Sequence, residues 1–144
     1  MSDAGPAVLG IDPGTRKCGF ALLTGGGRPP LEIGIVPTET LAARIGELAG
    51  RYRIRAVALG GGTHTAAVAS LIAGLGLPVS VVDEYETTLL ARRRYFAVNP
   101  PRGWRRFVPQ GMLLPPRPID DFAALLIAER FLSGEGDEAG PDEA

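Results

Sequence analysis

Between Val8 and Leu23 two apolar runs, Val8-Leu9-Gly10-Ile11 and Phe20-Ala21-Leu22-Leu23, flank the stretch Asp12-Pro13-Gly14-Thr15-Arg16-Lys17-Cys18-Gly19. The runs read as strands and Pro13-Gly14 as the start of a tight turn, which commits the chain to a β-hairpin at its beginning. A carboxylate then stands where the first strand ends, beside a loop whose backbone N–H groups and Thr15 hydroxyl can approach a phosphate. Glycine suits such a place, because no Cβ blocks the approach of a ligand or of another backbone segment. An Asx-type turn in which Asp12 caps its own hairpin would use the same residues.

After the turn-rich segment Thr24 to Pro30, the alternation of Leu31, Ile33 and Ile35 predicts a third, antiparallel strand. From Thr38 the period lengthens. Leu41, Ile45, Leu48 and Tyr52 recur at helical spacing, predicting a helix over roughly residues 39 to 52, with Thr38 or Thr40 able to cap it. A buried strand at Ile54 to Leu59, a loop through Gly60-Gly61-Gly62-Thr63-His64-Thr65, a small-residue helix from Ala66 to Gly74 and a strand at Val79 to Val82 follow. Helical crossovers require the later strands to run parallel, so the expectation is an α/β chain with a mixed five-stranded sheet, three strands antiparallel and then two parallel, flanked by helices. Ligands of such sheets bind beyond the carboxyl ends of the strands. Asp12 and the pair Asp83-Glu84 are therefore expected on one rim.

Thr87 to Val98 reads as a helix carrying Arg92, Arg93 and Arg94, and the proline-rich stretch from Asn99 to Pro118 as a loop. Seven arginines and no acid lie between Glu86 and Asp120, interleaved with Tyr95, Phe96, Trp104 and Phe107. Arginine beside aromatics is the composition of a surface that meets phosphates and unstacked bases; the plainer alternative is a solvated basic face with Trp104 tucked onto the core. The last helix opens with Asp120-Asp121 and runs to Leu132 on apolar positions Phe122, Leu125 and Leu126. Its two leading acids also fit ordinary helix-end electrostatics.

Composition narrows the function. The 144 residues are 45% apolar, enough for one domain with a substantial core, expected over residues 1–132, with 133–144 as an acidic, disordered tail. That tail holds five acids and no base, so 15 basic residues face 11 acidic ones in the body, a net charge of +4. Cys18 is the only cysteine, which excludes an internal disulfide and a cysteine-rich zinc site and makes a reducing cytoplasm the expected location. No apolar run approaches the ~20 residues that span a bilayer, and no membrane association is expected. Asp12, Asp83-Glu84 and Asp120-Asp121, clustered without His or Cys, point to hard divalent cations such as Mg²⁺ or Mn²⁺. Metals held by such carboxylates, paired about 3.5–4 Å apart, are suited to phosphodiester hydrolysis.

Three segments, Gly10-Ile11-Asp12-Pro13-Gly14-Thr15-Arg16-Lys17-Cys18-Gly19-Phe20-Ala21, Val82-Asp83-Glu84-Tyr85-Glu86-Thr87-Thr88 and Ile119-Asp120-Asp121-Phe122-Ala123-Ala124-Leu125-Leu126-Ile127, resemble the signature blocks of the YqgF/RuvX family. That family is related to the RuvC Holliday-junction resolvases. The resemblance implies a ribonuclease H-like fold and a metal-dependent nuclease of the two-metal-ion type, acting in ribosomal RNA precursor processing or on Holliday junctions. It implies catalytic roles for Asp12, Glu84 and Asp120, metal binding by these three with Asp83 and Asp121 beside them, and RNA or branched DNA as partner of a monomer or homodimer. Thr15, Arg16, Lys17, Arg92, Arg93, Arg94, Arg102, Trp104, Arg105 and Arg106 are the substrate-binding candidates. The sequence departs from the family pattern at the loop Gly60 to Thr65, at Tyr85, where arginine is common, and at the Pro-Pro-Arg-Gly-Trp-Arg-Arg segment; His64, in the altered loop, reads as a plain loop residue. Two other functions fit parts of the chain. One is a catalytically silent nucleic-acid-binding module. The other is a phosphate-binding domain of the actin-like ATPases, whose first hairpin is similar.

Overall fold

The computed structural model describes residues 5–25, 28–83, 87–108, 115 and 118–138. Strands β1 (Ala7–Asp12), β2 (Lys17–Leu23) and β3 (Glu32–Pro37) form the expected meander. Helix α1 (Leu41–Arg51), strand β4 (Ile54–Gly60), helix α2 (Thr65–Ile72) and strand β5 (Val79–Val82) supply the crossovers. Helices α3 (Thr87–Val98) and α4 (Asp120–Glu138) follow. The sheet order is β3-β2-β1-β4-β5, antiparallel across β3, β2 and β1 and parallel across β1, β4 and β5.

β1 is the central strand, and its two faces belong to different cores. Ala7, Leu9 and Ile11 pack with Leu41, Ile45 and Leu48 of α1 and with Val68 and Ile72 of α2, whereas Val8 joins Phe122, Ala124, Ile127 and Ala128 of α4. Side chains alternate across a strand, so Asp12 shares the parity of Val8 and Gly10 and lies on the α4 side. There the sheet is lined by small residues. A Cβ on Gly10 would lie 2.3 Å from the Ala124 carbonyl oxygen and 2.8 Å from the Ala128 Cβ. α4 therefore sits closer to β1 than any side chain at position 10 would permit.

The helix starts differ from expectation in their chemistry. Neither Thr38 nor Thr40 caps α1: the Thr38 hydroxyl donates to the Gly14 carbonyl at 2.8 Å, and the Thr40 hydroxyl to that of Pro37 at 3.0 Å. Thr38 instead ties the β1–β2 turn to the entrance of α1, a long-range bond that local spacing cannot reveal. Glu32 fastens β3 to the other end of α1, pairing with Arg51 at 2.7 Å and accepting the Tyr52 hydroxyl at 2.9 Å. That hydrogen bond, with burial and the carboxylate charge, raises the Tyr52 phenol above its ordinary pKa against the opposing pull of Arg51. At the other end of the chain α4 continues past Leu132 to Glu138. Ser133, Gly134 and Gly136 are weak helix formers at up to ~1 kcal/mol each, but extending a helix already nucleated on the sheet needs only one hydrogen bond per added residue.

Candidate metal and nucleic-acid site

Asp12 and Asp120 are both neighbours of Gly19. In the β1–β2 register Asp12 lies opposite Gly19, and a Cβ on Gly19 would stand 1.9 Å from the carbonyl oxygen of Asp120 and 2.8 Å from the nitrogen of Asp121. The start of α4 thus rests on bare backbone beside the end of β1. Asp120 is half-buried, and its Oδ2 lies 3.3 Å from the Lys17 ammonium. That oxygen is itself buried and accepts no hydrogen bond of proper geometry, so the contact with Lys17 is electrostatic, and with both side chains partly exposed it is worth at most about 1 kcal/mol. Asp121 is more deeply buried: it is 5% exposed, and its Oδ1 accepts the backbone N–H of Phe122 at 3.0 Å.

The hairpin turn is built for the chain's own backbone. A Cβ on Gly14 would lie 2.2 Å from the Lys17 carbonyl oxygen, so the glycine closes the turn, as Gly10 and Gly19 admit α4. Thr15, Arg16 and Lys17 are exposed along it. The Thr15 hydroxyl is 3.1 Å from the His64 ring nitrogens. His64 precedes α2, in a loop braced by a 2.6 Å hydrogen bond from the Thr65 hydroxyl to the Gly60 carbonyl and by Gly61 N–H to the Val82 carbonyl at 2.8 Å. This histidine, which sequence alone gives to an ordinary loop, joins the rim because β1 and β4 are parallel neighbours and their following loops adjoin. The parallel pairing was the available signal.

Asp83 follows β5 and is exposed, and its carbonyl accepts a hydrogen bond from Arg130 of α4. Arg130 lies ten residues beyond Asp120, roughly 15 Å along the helix. Glu84 lies outside the described residues. Among the described residues no group of three or more His, Cys, Asp or Glu side chains is close enough to hold a metal ion.

The arginines divide by environment. Arg94 is held by Glu129 of α4 in a forked pair with contacts of 3.0 and 2.8 Å. This hydrogen bonding raises the guanidinium pKa further, against the effect of burial. Arg94 thus serves α3–α4 packing, while Arg93, Arg102 and Arg106 are exposed and Arg92 and Arg105 half-buried. Within the proline-rich stretch Gly103–Phe107 forms a 3₁₀ turn on which Trp104 is 75% exposed. The tucked alternative for Trp104 does not describe this fold.

Among known structures the chain is similar to the RuvC protein of T. thermophilus in complex with a Holliday junction substrate, at 22% identity and a TM-score of 0.59, over 92% of this chain and 97% of that one. A second Thermus thermophilus RuvC structure matches at 18% identity and a TM-score of 0.51, over 88% and 94%. No family model matches the chain, and no curated protein matches it. The fold is ribonuclease H-like. Among the described residues no helix is long and apolar enough to cross a membrane.

Proposed function

We propose that this ribonuclease H-like chain is a divalent-metal-dependent nuclease of structured nucleic acid, with four-way DNA junctions as its leading substrate. The observation that carries the reading is that the start of α4, with Asp120, rests on Gly19, the register partner of Asp12, at the carboxyl end of the central strand, where sheets of this kind bind ligands. Asp120 Oδ2, buried and lacking a hydrogen bond, suits a hard cation, which prefers oxygen donors. Asp12, Asp120 and Glu84 are the residues that would hold Mg²⁺ or Mn²⁺, with Asp83 and Asp121 in support. When bound, such a metal lowers the pKa of the attacking water and offsets charge on the phosphate.

The chain's own residues do the remaining work. Thr15, Arg16, Lys17 and His64 line the rim from which a phosphodiester would approach Asp12. Lys17 holds a positive charge beside Asp120 before the substrate arrives. Arg93, Arg102 and Arg106 offer exposed cations to the nucleic-acid backbone. Residues 1–132, extended by the last turns of α4 to Glu138, form the nuclease unit. A two-fold junction calls for two sites and hence a homodimer; an RNA substrate does not.

The structural neighbour bound to a Holliday junction favours the junction. The resemblance of the block Val82-Asp83-Glu84-Tyr85-Glu86-Thr87-Thr88 to a YqgF/RuvX signature supports precursor ribosomal RNA as a second substrate. One cleavage panel decides: four-way DNA junctions, precursor ribosomal RNA and single-stranded RNA, each with Mg²⁺ and with Mn²⁺. Symmetric nicking of the junction, lost in Asp12→Asn, is the expected result. No metal-stimulated cleavage of any of the three would overturn the proposal.

A further inference from the structure

The turn Gly103–Phe107 exposes Trp104 to 75% and Phe107 to 77%. Large aromatics left in water on a chain with ample core need a use, since burying either would stabilise the fold. The turn is held in shape: Arg105 N–H reaches the Arg102 carbonyl at 3.2 Å and Val108 N–H that of Arg105 at 3.1 Å, while Gly103 enters at φ +63°. Three residues complete one 3₁₀ turn, so Trp104 and Phe107 share a face, offset by about 6 Å along the axis. Two stacking repeats of about 3.4 Å span a similar distance, which is the gap one base needs between two rings. Among the described residues neither ring packs on another aromatic. The Arg106 guanidinium lies 4.9 Å from the centre of the Phe107 ring, a cation–π contact that covers one ring face.

We propose that Trp104 and Phe107 form a stacking platform for unpaired nucleobases, so that this protein selects nucleic acid containing unstacked or single-stranded positions. Charge identifies the occupant. From Thr87 to Ile119 there is no acidic residue, and Arg102 and Arg106 flank the rings in the exposed positions that phosphates on either side of a splayed base would meet. A purely apolar partner would be ill matched to this border, and a paired duplex offers no free base face. The inference rests on the nucleic-acid reading above but not on its metal or its cleavage.

Trp104 is the only tryptophan in the chain, so its fluorescence reports this turn alone. The test is a titration of the full chain, without divalent metal, with a fifteen-residue oligothymidylate and with a blunt duplex carrying the same number of phosphates; labelled-strand anisotropy measures binding in parallel. Saturable quenching is expected with the single strand, and little or none with the duplex. Trp104→Ala is expected to weaken single-strand binding about 5- to 150-fold with duplex affinity nearly unchanged, and Trp104→Phe to restore most of the loss. Equal quenching by both probes, or unchanged single-strand affinity in Trp104→Ala, would overturn the proposal and leave the face to a protein or membrane partner. Stacking with no cleavage in the metal panel would count against the nuclease reading alone.

Discussion

Replacing Gly19 by alanine sets a methyl group 1.9 Å from the Asp120 carbonyl oxygen and 2.2 Å from its carbon. A Cβ does not come within 3.0 Å of such atoms, so the start of α4 must retreat by at least about 1.1 Å or the hairpin must bend away. Overpacking of this kind costs about 1–3 kcal/mol. For a chain of 144 residues the unfolding entropy is about 0.3 kcal/mol/K, and the loss corresponds to a melting temperature lower by about 3–10 °C. The displaced group is Asp120, and a misplacement of about 1 Å at a reacting centre costs on the order of 10²-fold in rate. Gly46→Ala is the control: in α1, with nothing within 4 Å of the new Cβ, it is expected to stabilise by about 0.5–1 kcal/mol. Calorimetry on both variants, with cleavage assayed well below both midpoints, checks the pair. If Gly19→Ala melted and cleaved like the parent, the start of α4 would not rest on Gly19, and the placing of Asp120 beside the end of β1 would fail with it.

Asp12→Asn is expected to fold normally, to abolish cleavage, and to lose the stabilisation by Mn²⁺ that a metal-holding parent gains, about 2.7 kcal/mol at a hundredfold excess over Kd; thermal shift with and without metal measures this. Neutralising Arg105 and Arg106 together should lower the log–log salt slope of nucleic-acid binding by about 0.7–0.9 for each phosphate these side chains neutralise in the parent, read from a metal-free salt titration. A double-mutant cycle on Arg94 and Glu129 should give a coupling of no more than about 1 kcal/mol, because the pair is more than one-third exposed; a value of several kcal/mol would mean that the pair is desolvated. The Tyr52 contact favours the protonated phenol, so its stabilisation is complete below pH ~10 and lost as pH rises through the raised folded pKa. Denaturant titrations should accordingly find that the parent loses stability above pH ~10 more steeply than Tyr52→Phe.

Sequence alone prescribes the order and type of nearly every element. Apolar runs bounded by a turn specified β1 and β2, apolar alternation specified β3, the change of period at Thr38 specified α1, and helical crossovers required β4 and β5 to run parallel, all local or topological constraints that a single chain carries. It also determined the chemical character of the rim, since Asp12 and Asp120 belong to an element end and an element start whatever the packing. Three matters were decided only in three dimensions. Glycine beside Asp12 is open to a ligand or to another backbone segment; at Gly10, Gly14 and Gly19 it is a backbone that fills the space, and which body approaches a glycine is a non-local fact. His64 gains its place beside Thr15 from the adjacency of two loops 49 residues apart. The arginines of one charge run differ in use, Arg94 in a forked pair and Arg106 over an exposed ring, because charge is written in composition whereas a partner across the fold is fixed only when α3 packs on α4.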